Sequence, residues 1–177
     1  MGSDRGSYFL TRSGKKIHYF DVQEDDLDLE DIIPAIANIP RFNGHVGSYS
    51  VAEHSYWVAK LVPDERELRL WGLLHDASEA YLGDIAKPLK DALPELQSVE
   101  NNILLAIAFK FGLPWPIPEE VIHADKVMLA TEVRDLYPKE CHEHFVLEVE
   151  PTTQFEVHPW KPTFARSMLE SCIRYYL

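Results

Sequence analysis

Prolines, glycines and one capping pattern divide most of the chain into segments whose apolar residues recur at helical spacing. Ser50 and Glu53 match the pattern of a capping box, which predicts that the serine hydroxyl accepts from the Glu53 amide and that the glutamate side chain returns to the Ser50 amide. Because proline breaks a helix and glycine commonly ends one, these residues predict the other boundaries. The pattern predicts five long helices, over residues 50–62, 64–81, 94–112, 118–137 and 162–177.

Two smaller elements and a loop are predicted before and beside these helices. Residues 8–20 alternate apolar and polar side chains around Ser13-Gly14, which predicts a hairpin. Asp28 or Asp31 can cap a helix through residues 32–38, in which Pro34 is tolerated only near the first turn. Residues 41–49 contain two glycines and predict a loop. The expected fold class is therefore an all-α bundle with a small N-terminal hairpin.

Length and composition indicate one globular domain over residues 1–177. No apolar run approaches the roughly 20 residues of a membrane span, and the first residues lack a secretory signal, so a cytoplasmic location is expected. Cys141 and Cys172 are too few for a disulfide framework. The formal charge of −12 repels nucleic-acid backbones and argues against a duplex-binding role.

The adjacent pair His75-Asp76 directly follows an apolar part of the second predicted helix. Burying both side chains without a partner is costly, and a divalent cation that accepts imidazole and carboxylate ligands is one solution. Glu79 lies four residues after His75 and three after Asp76, so one helix face would carry all three. For an isolated pair, a hydrogen-bonded core histidine beside a solvated acid is the ordinary alternative.

Other polar residues are predicted on apolar helix faces elsewhere in the chain. His54 lies between Val51 and Val58 on its helix, and a buried imidazole or carboxylate needs a cation or several hydrogen-bond donors. Glu132, seven residues after Asp125, shares its face and is a candidate partner for an arginine such as Arg41 or Arg134. The positions one turn to either side of Asp125 are apolar: Val121, Ile122, Met128 and Leu129.

A single His, then His-Asp, then a distant Asp, all on helices, resembles the HD-domain metal phosphohydrolases. The local match is to small 5′-deoxynucleotidases and to short phage deoxynucleoside triphosphohydrolases of the dATP type. It covers residues 8–135, and the stretch beyond them matches only in being helical. The matching blocks are RFNGH (41–45), YSVAEHS (49–55), LLHDASEAYLGDI (73–85), KPLK (87–90) and ADKVMLATE (124–132).

The resemblance implies an HD-domain helical bundle and a role for each matched residue. The metal ligands that it implies, two histidines and two aspartates, offer only nitrogen and oxygen atoms, which disfavours a closed structural zinc site. One divalent transition metal is expected, and ligand chemistry does not choose among Mn, Co, Fe, Ni and Zn. The implied metal ligands are His54, His75, Asp76 and Asp125, the catalytic residues are Glu79 and Asp84, and the substrate-binding residues are Arg41, Phe42, His45 and Lys90.

Several of these roles have an ordinary structural alternative. The planar guanidinium of Arg41 suits a phosphate or a base edge. Phe42 could stack on a nucleobase or simply pack, and His45 could contact phosphate or hold the glycine loop. Asp84 could be only a turn residue, and Lys90 only a solvated lysine.

The resemblance implies hydrolysis of a deoxynucleotide, with a metal-activated water attacking the phosphorus next to the nucleoside 5′-oxygen. The first interpretation is a deoxynucleoside triphosphohydrolase that releases triphosphate, and the alternative is a 5′-deoxynucleotidase that releases phosphate. A non-catalytic helical module that senses nucleotides is the alternative from another class. The expected partner is a small-molecule deoxynucleotide, with neither duplex nucleic acid nor membrane, and a homo-oligomer is compatible with the resemblance.

Overall fold

The computed structural model describes residues 8–177, which form a helical fold with one small hairpin. Strands β1 (Phe9–Leu10) and β2 (Lys16–Ile17) pair antiparallel, with Phe9 opposite Ile17, as the alternating pattern predicts. The helices are α1 (Leu29–Asn38), α2 (Val51–Leu61), α3 (Arg66–Leu74), α4 (Glu79–Leu82), α5 (Lys87–Ala92), α6 (Pro94–Phe111), α7 (Glu119–Leu136) and α8 (Pro162–Tyr176). The all-α fold class is confirmed.

The core is one cluster of buried side chains in which α2 is central. Helix α2 packs against α1, α3, α7 and α8. Gly72 of α3 lies directly against Ala59 of α2, where an added Cβ would stand 2.6 Å from the Ala59 Cα. Helices α2 and α3 can therefore approach more closely than side chains would normally allow. None of the helices within residues 8–177 is both long and apolar enough to cross a membrane.

Several helix boundaries have the chemistry that the sequence predicts. The side chain of Asp28 accepts from the Glu30 amide at the start of α1, and Gly112 ends α6 in the left-handed conformation (φ 62°). Pro34 lies in the interior of α1, although a position near the first turn was predicted. Because Pro34 has no N–H, the carbonyl of Glu30 lacks its helical donor.

The capping box at the start of α2 is only half formed. Ser50 Oγ accepts from the Glu53 amide at 3.2 Å, as predicted. The Glu53 side chain does not return to Ser50, because its Oε2 accepts from the backbone amide of Trp160 at 2.8 Å. The carboxylate therefore anchors the connector before α8 to the helix that carries His54.

The predicted helix over residues 64–81 is wrong in its middle. Helix α3 ends at Leu74, residues 75–78 form tight turns, and α4 begins at Glu79. The amides of Ala77 and Glu79 bond to carbonyls only three residues earlier, those of Leu74 and Asp76. His75, Asp76 and Glu79 consequently do not share a continuous helix face, since three-residue turns rotate successive side chains differently from an α-helix.

Candidate metal centre

Four side chains converge where α2, the turn after α3 and α7 meet. His54 Nε2 lies 3.2 Å from His75 Nε2, 3.5 Å from Asp76 Oδ2 and 3.1 Å from Asp125 Oδ1. His75 Nε2 lies 3.4 Å from Asp76 Oδ2 and 3.9 Å from Asp125 Oδ1. His54, His75 and Asp76 form a group that could hold a metal ion, with all three ligand atoms within 4.8 Å of one another.

The spacing of these atoms suits one small cation. Ligand atoms about 2.1 Å from a shared ion stand about 3 to 3.5 Å from each other in octahedral or tetrahedral geometry. The contacts among His54, His75 and Asp76 span 3.2 to 3.5 Å and match that separation. The distance from Asp125 to His54 also matches that separation, whereas the distance from Asp125 to His75 is longer. Its side chain is 42% exposed, so Asp125 forms the solvent-facing edge of the cluster.

The partly exposed position of Asp125 corrects one sequence interpretation. The predicted apolar stripe around Asp125 includes Ile122, which is 37% exposed, whereas Val121 and Met128 are buried. Only part of that stripe faces the core. Asp125 therefore points along the boundary between core and solvent rather than into the core.

Both histidines present Nε2 to the cluster because Nδ1 is held elsewhere. His75 Nδ1 lies 2.9 Å from the carbonyl oxygen of Gly72, which can only accept, so Nδ1 carries the proton. His54 Nδ1 lies 2.5 Å from Glu132 Oε1. A carbonyl or carboxylate on the far ring nitrogen is the usual support of a metal-binding histidine, because it fixes both the tautomer and the ring orientation.

Glu132 connects the cluster to the rest of the core. Besides His54, its carboxylate accepts from the Tyr49 hydroxyl at 2.8 Å and from Arg41 Nη2 at 3.3 Å. Arg41 Nη1 reaches Asp76 Oδ2 at 3.2 Å, so one guanidinium joins Glu132 to a candidate ligand. The predicted pairing of Glu132 with Arg41 is confirmed. The bond to His54 was missed, and their shared direction toward the core was its only sequence signal.

Opposite charges in close contact shift the protonation of these groups. Burial alone would raise the pKa of Asp76, but His75, His54 and Arg41 together bring it well below its ordinary value. Arg41 and His54 likewise lower the pKa of Glu132 against its burial. Burial and Arg41 lower the pKa of His54, but Glu132 and Asp125 more than compensate and raise it to about 10. Without a metal, His54 is therefore a cation at neutral pH.

Glu79 is buried beside the centre in a different electrostatic environment. Burial and the negative charges of Asp76 and Asp84 raise its pKa well above its ordinary value. Its Oε1 lies 3.6 Å from Lys90 Nζ, and its Oε2 is buried without a hydrogen-bond partner among residues 8–177. A proton on Glu79 would give that unpaired oxygen a hydrogen to donate.

The structure places the predicted substrate-binding residues in different surroundings. Arg41 lies against the cluster, and its Nε is buried without an acceptor in the described part of the chain. Phe42 follows in a left-handed conformation (φ 54°) with its ring beside Arg41. Lys90 is bound to Glu100 at 2.7 Å as well as lying near Glu79. His45 is exposed, and its backbone amide donates to the Phe42 carbonyl.

Two histidines and two cysteines that the sequence also offers lie outside this cluster. His123, two residues before Asp125 and therefore on another face of α7, is exposed. His142 Nε2 bonds to the carbonyl of Tyr137 at 3.0 Å. Cys141 and Cys172 are free thiols.

Comparison with known proteins places the chain among relatives that have no assigned activity. No model of a known protein family matches the sequence. An uncharacterized protein of Rhodobacter capsulatus is 34% identical over 123 residues, which are 64% of this chain and 63% of that protein. The uncharacterized Escherichia coli protein YfdR is 42% identical over 164 residues, which are 92% of this chain and 91% of YfdR. With that identity over nearly the whole of both chains, this chain belongs to the same protein family as YfdR.

Proposed function

We propose that this protein is a metal-dependent phosphohydrolase of the HD-domain type that hydrolyses a deoxynucleotide at its 5′-phosphate. The observation that carries the proposal is the convergence of His54, His75, Asp76 and Asp125 within 3.1 to 3.9 Å. These are the four residues that the HD-domain resemblance assigns to the metal. On a five- or six-coordinate ion, two imidazoles and two carboxylates would leave coordination positions open, as a catalytic site requires.

One divalent transition metal is the cofactor that this ligand set suits, and imidazole with carboxylate accepts Mn, Co, Fe, Ni or Zn. Such an ion, when bound, lowers the pKa of a coordinated water and polarises a phosphoryl oxygen. The protein holds the ligands in place through Glu132 on His54 and the Gly72 carbonyl on His75. The chain therefore supplies a pre-oriented set of donors.

Arg41 is suited to hold the substrate phosphate. Two of its nitrogens are already engaged by Asp76 and Glu132, which fixes the guanidinium plane against the cluster. Its buried Nε donor is unpaired in the described structure, and a buried donor without an acceptor is unfavourable. A phosphoryl oxygen would be a suitable acceptor.

Glu79 is suited to donate a proton to the leaving 5′-oxygen. A general acid must carry its proton at the working pH, and the raised pKa of Glu79 favours that state. The nearby charge of Asp84 helps to keep the proton on Glu79. In this role Glu79 acts as an acid, and not as a base that takes a proton from the attacking water.

The charges around the centre favour a monophosphate over a triphosphate. Arg41, which contacts Asp76, and Lys90, which lies beside Glu79, are both paired with carboxylates already. A 5′-monophosphate brings about two negative charges at neutral pH, and a triphosphate brings more. We therefore place the 5′-deoxynucleotidase reaction ahead of the triphosphohydrolase reaction, which reverses the order expected from the sequence.

The test is product identification with metal-reconstituted protein. Chelator-treated protein is loaded in turn with Mn²⁺, Co²⁺, Fe²⁺, Ni²⁺ or Zn²⁺ and incubated with the mono- and triphosphates of each deoxynucleoside. Phosphate and nucleoside from monophosphates are the expected products. Release of triphosphate would instead support the other hydrolase, and nucleotide binding without turnover with any metal would overturn the enzymatic function in favour of a sensor.

A matched pair of variants links activity to the centre. Asp76→Asn is expected to lose bound metal and activity together, because it removes a ligand charge. Asp25→Asn, which changes an exposed carboxylate before α1, is expected to retain both. Full activity in Asp76→Asn would refute the assignment of the centre.

A further inference from the structure

Three aromatic rings from distant parts of the chain meet on one side of Arg41. The Phe42 and Tyr137 ring centroids are 5.3 Å apart at 85°, and those of Tyr137 and Phe145 are 4.8 Å apart at 64°. Phe42 belongs to the loop after α1, Tyr137 directly follows α7, and Phe145 lies beyond the next short turn. We call Phe42, Tyr137 and Phe145 the aromatic platform.

The platform is not part of the buried core. All three side chains are only partly buried, in contrast to the fully buried Trp71. Each edge-to-face pair covers a face of only one of its two rings, so these pairs by themselves do not occupy every ring face. Phe42 also adopts φ 54°, a conformation that is strained for a bulky side chain. Strain of this kind persists only where surrounding structure enforces it, and it is common at ligand sites.

The platform lies next to the candidate metal centre. The Phe42 ring centroid is 5.5 Å from Arg41 Cζ, and the same guanidinium contacts Asp76 at 3.2 Å. Tyr137 follows the helix that carries Asp125 and Glu132. A ligand with a phosphate at the cluster could therefore extend along Arg41 onto these rings.

The chemistry of the platform favours a neutral aromatic group over a second phosphate. Burial is the main cause that raises the pKa of Tyr137, and the negative charges of Glu132 and Asp84 add to it, so carboxylates lie within electrostatic reach of this ring. An anion would be repelled by them, whereas a nucleobase is uncharged and presents a flat face. Stacking on aromatic side chains tolerates every base, since each base has a π-face.

We propose that the aromatic platform receives the nucleobase of the substrate and that Tyr137 is the main side chain on which the base stacks. The inference rests on the proposed phosphohydrolase function and adds a recognition site for the base. Tyr137 and Phe145 lie beyond residues 8–135, so they fall outside the stretch that resembles known hydrolases.

The kinetic experiment compares two substrates that differ only in the base. KM and kcat are measured for deoxyadenosine 5′-monophosphate and for 2-deoxyribose 5-phosphate with wild type and Tyr137→Leu. Loss of stacking is expected to raise KM for the nucleotide about tenfold or more, with little change for the sugar phosphate. Tyr137→Phe should restore the wild-type KM, because it keeps the ring.

Matched controls separate stacking from general damage. Phe164→Leu removes a half-exposed ring that packs edge-on against Trp160 in another part of the molecule, and it should leave both KM values unchanged. Phe145→Leu tests the platform with a second variant, and it should also raise only the nucleotide KM. Equal KM changes for both substrates, or none, would overturn the platform as a base site.

Binding of deoxyadenosine, which has no phosphate, keeps the two proposals distinguishable. Titration calorimetry should detect nucleoside binding in wild type and Tyr137→Phe, and weaker binding in Tyr137→Leu. Tyr137-dependent binding without hydrolysis of any nucleotide would support the platform and overturn the proposed function. Hydrolysis without any effect of Tyr137→Leu on KM or nucleoside binding would support the enzyme and overturn the platform.

Discussion

Glu132 supports the candidate centre without being one of its ligands. Its buried carboxylate holds the Nδ1 side of His54 and, through Arg41, is connected to Asp76. Two candidate ligands are thus oriented by one negative charge. The charge is tolerated in the core because Arg41, His54 and Tyr49 all contact it.

Glu132→Gln is expected to weaken metal binding by about 10- to 100-fold, because supporting carboxylates of metal-binding histidines typically contribute that much. The measurement is titration calorimetry with Mn²⁺ or Zn²⁺, accompanied by circular dichroism to verify folding. Glu170→Gln, which removes the surface partner of Arg174, is the control and should bind metal normally. Unchanged affinity in a folded Glu132→Gln protein would contradict the supporting role.

Substitution of Asn43 would measure the backbone strain in the left-handed part of the loop that carries Arg41 and Phe42. Its φ is 50° and its side chain is exposed, so substitution changes backbone strain with little loss of packing. Asn43→Val is expected to lower the free energy of unfolding by about 1 to 2 kcal/mol, because β-branched residues tolerate this conformation poorly. Asn43→Gly should be neutral or slightly stabilising. Urea denaturation measures both, and equal midpoints would show that the loop is not strained in solution.

At the scale of elements, the contact between α2 and α3 sets the distance between two ligands. Helix α2 carries His54, and His75 caps the end of α3. Gly72 lets these helices meet, and its carbonyl also holds His75 Nδ1. A change in the spacing of the helices would therefore reach the candidate centre directly.

Gly72→Ala is expected to destabilise the protein by about 1 to 3 kcal/mol through overpacking. In an uncrowded helix the same substitution would stabilise by about 0.5 to 1 kcal/mol, so the sign of the effect identifies the close contact. Metal affinity should fall as well, because the helices must separate. Denaturant unfolding and metal titration measure the two effects, with the exposed Ser171→Ala as control. A stabilised variant would show that α2 and α3 leave room for a methyl group at Gly72.

Helix ends were predicted well where residues close in the sequence determine them. Asp28, Ser50, Gly112 and the helix-breaking prolines mark ends of helices through contacts within a few residues, and those ends were predicted closely. The break at residues 75–78 was not predicted, because no proline or glycine lies between Gly72 and Gly83 to mark it.

The candidate site was predictable as a set of residue types but not as a network. His54, His75 and Asp76 were identified by their positions next to apolar residues and by the family resemblance. The bonds from Glu132 to His54 and from Glu53 to Trp160 span 78 and 107 residues. Contacts of that kind depend on how helices pack, which local patterns do not encode.

For the whole molecule, the buried charges make stability depend on pH. Asp76 and Glu132 have pKa values below their ordinary values of 3.8 and 4.5. Their contributions to the free energy of unfolding are therefore present above those pH values and are lost as pH falls. His54 has a pKa raised from 6.5 to about 10, so its contribution is full below 6.5 and is lost as pH rises toward 10. Burial raises the pKa of Glu53 to about 7, which weakens folding above 4.5 in the same direction.

The metal-free protein is therefore expected to be most stable near pH 5. On the alkaline side, each proton that the folded state holds and the unfolded state has lost lowers the free energy of unfolding by about 1.4 kcal/mol per pH unit. The midpoint temperature of thermal unfolding, measured from pH 3 to 9, should reach a maximum and then decline by several degrees. Added Zn²⁺ or Mn²⁺ at pH 8 should restore stability, because a metal replaces the proton on His54 Nε2. A midpoint that rises steadily from pH 5 to 9 without metal would contradict these pKa shifts.

The four candidate ligands differ in their access to solvent. The His54 side chain is fully enclosed and those of His75 and Asp76 are 7% and 18% exposed, whereas that of Asp125 is 42% exposed. An incoming ion or a chelator can reach the centre along the Asp125 side without disturbing the helices. Exchange of the cation should accordingly begin with release from Asp125 and end with release from His54. The rate at which a chelator strips the centre would then depend on release from these four side chains, and not on the unfolding of the protein.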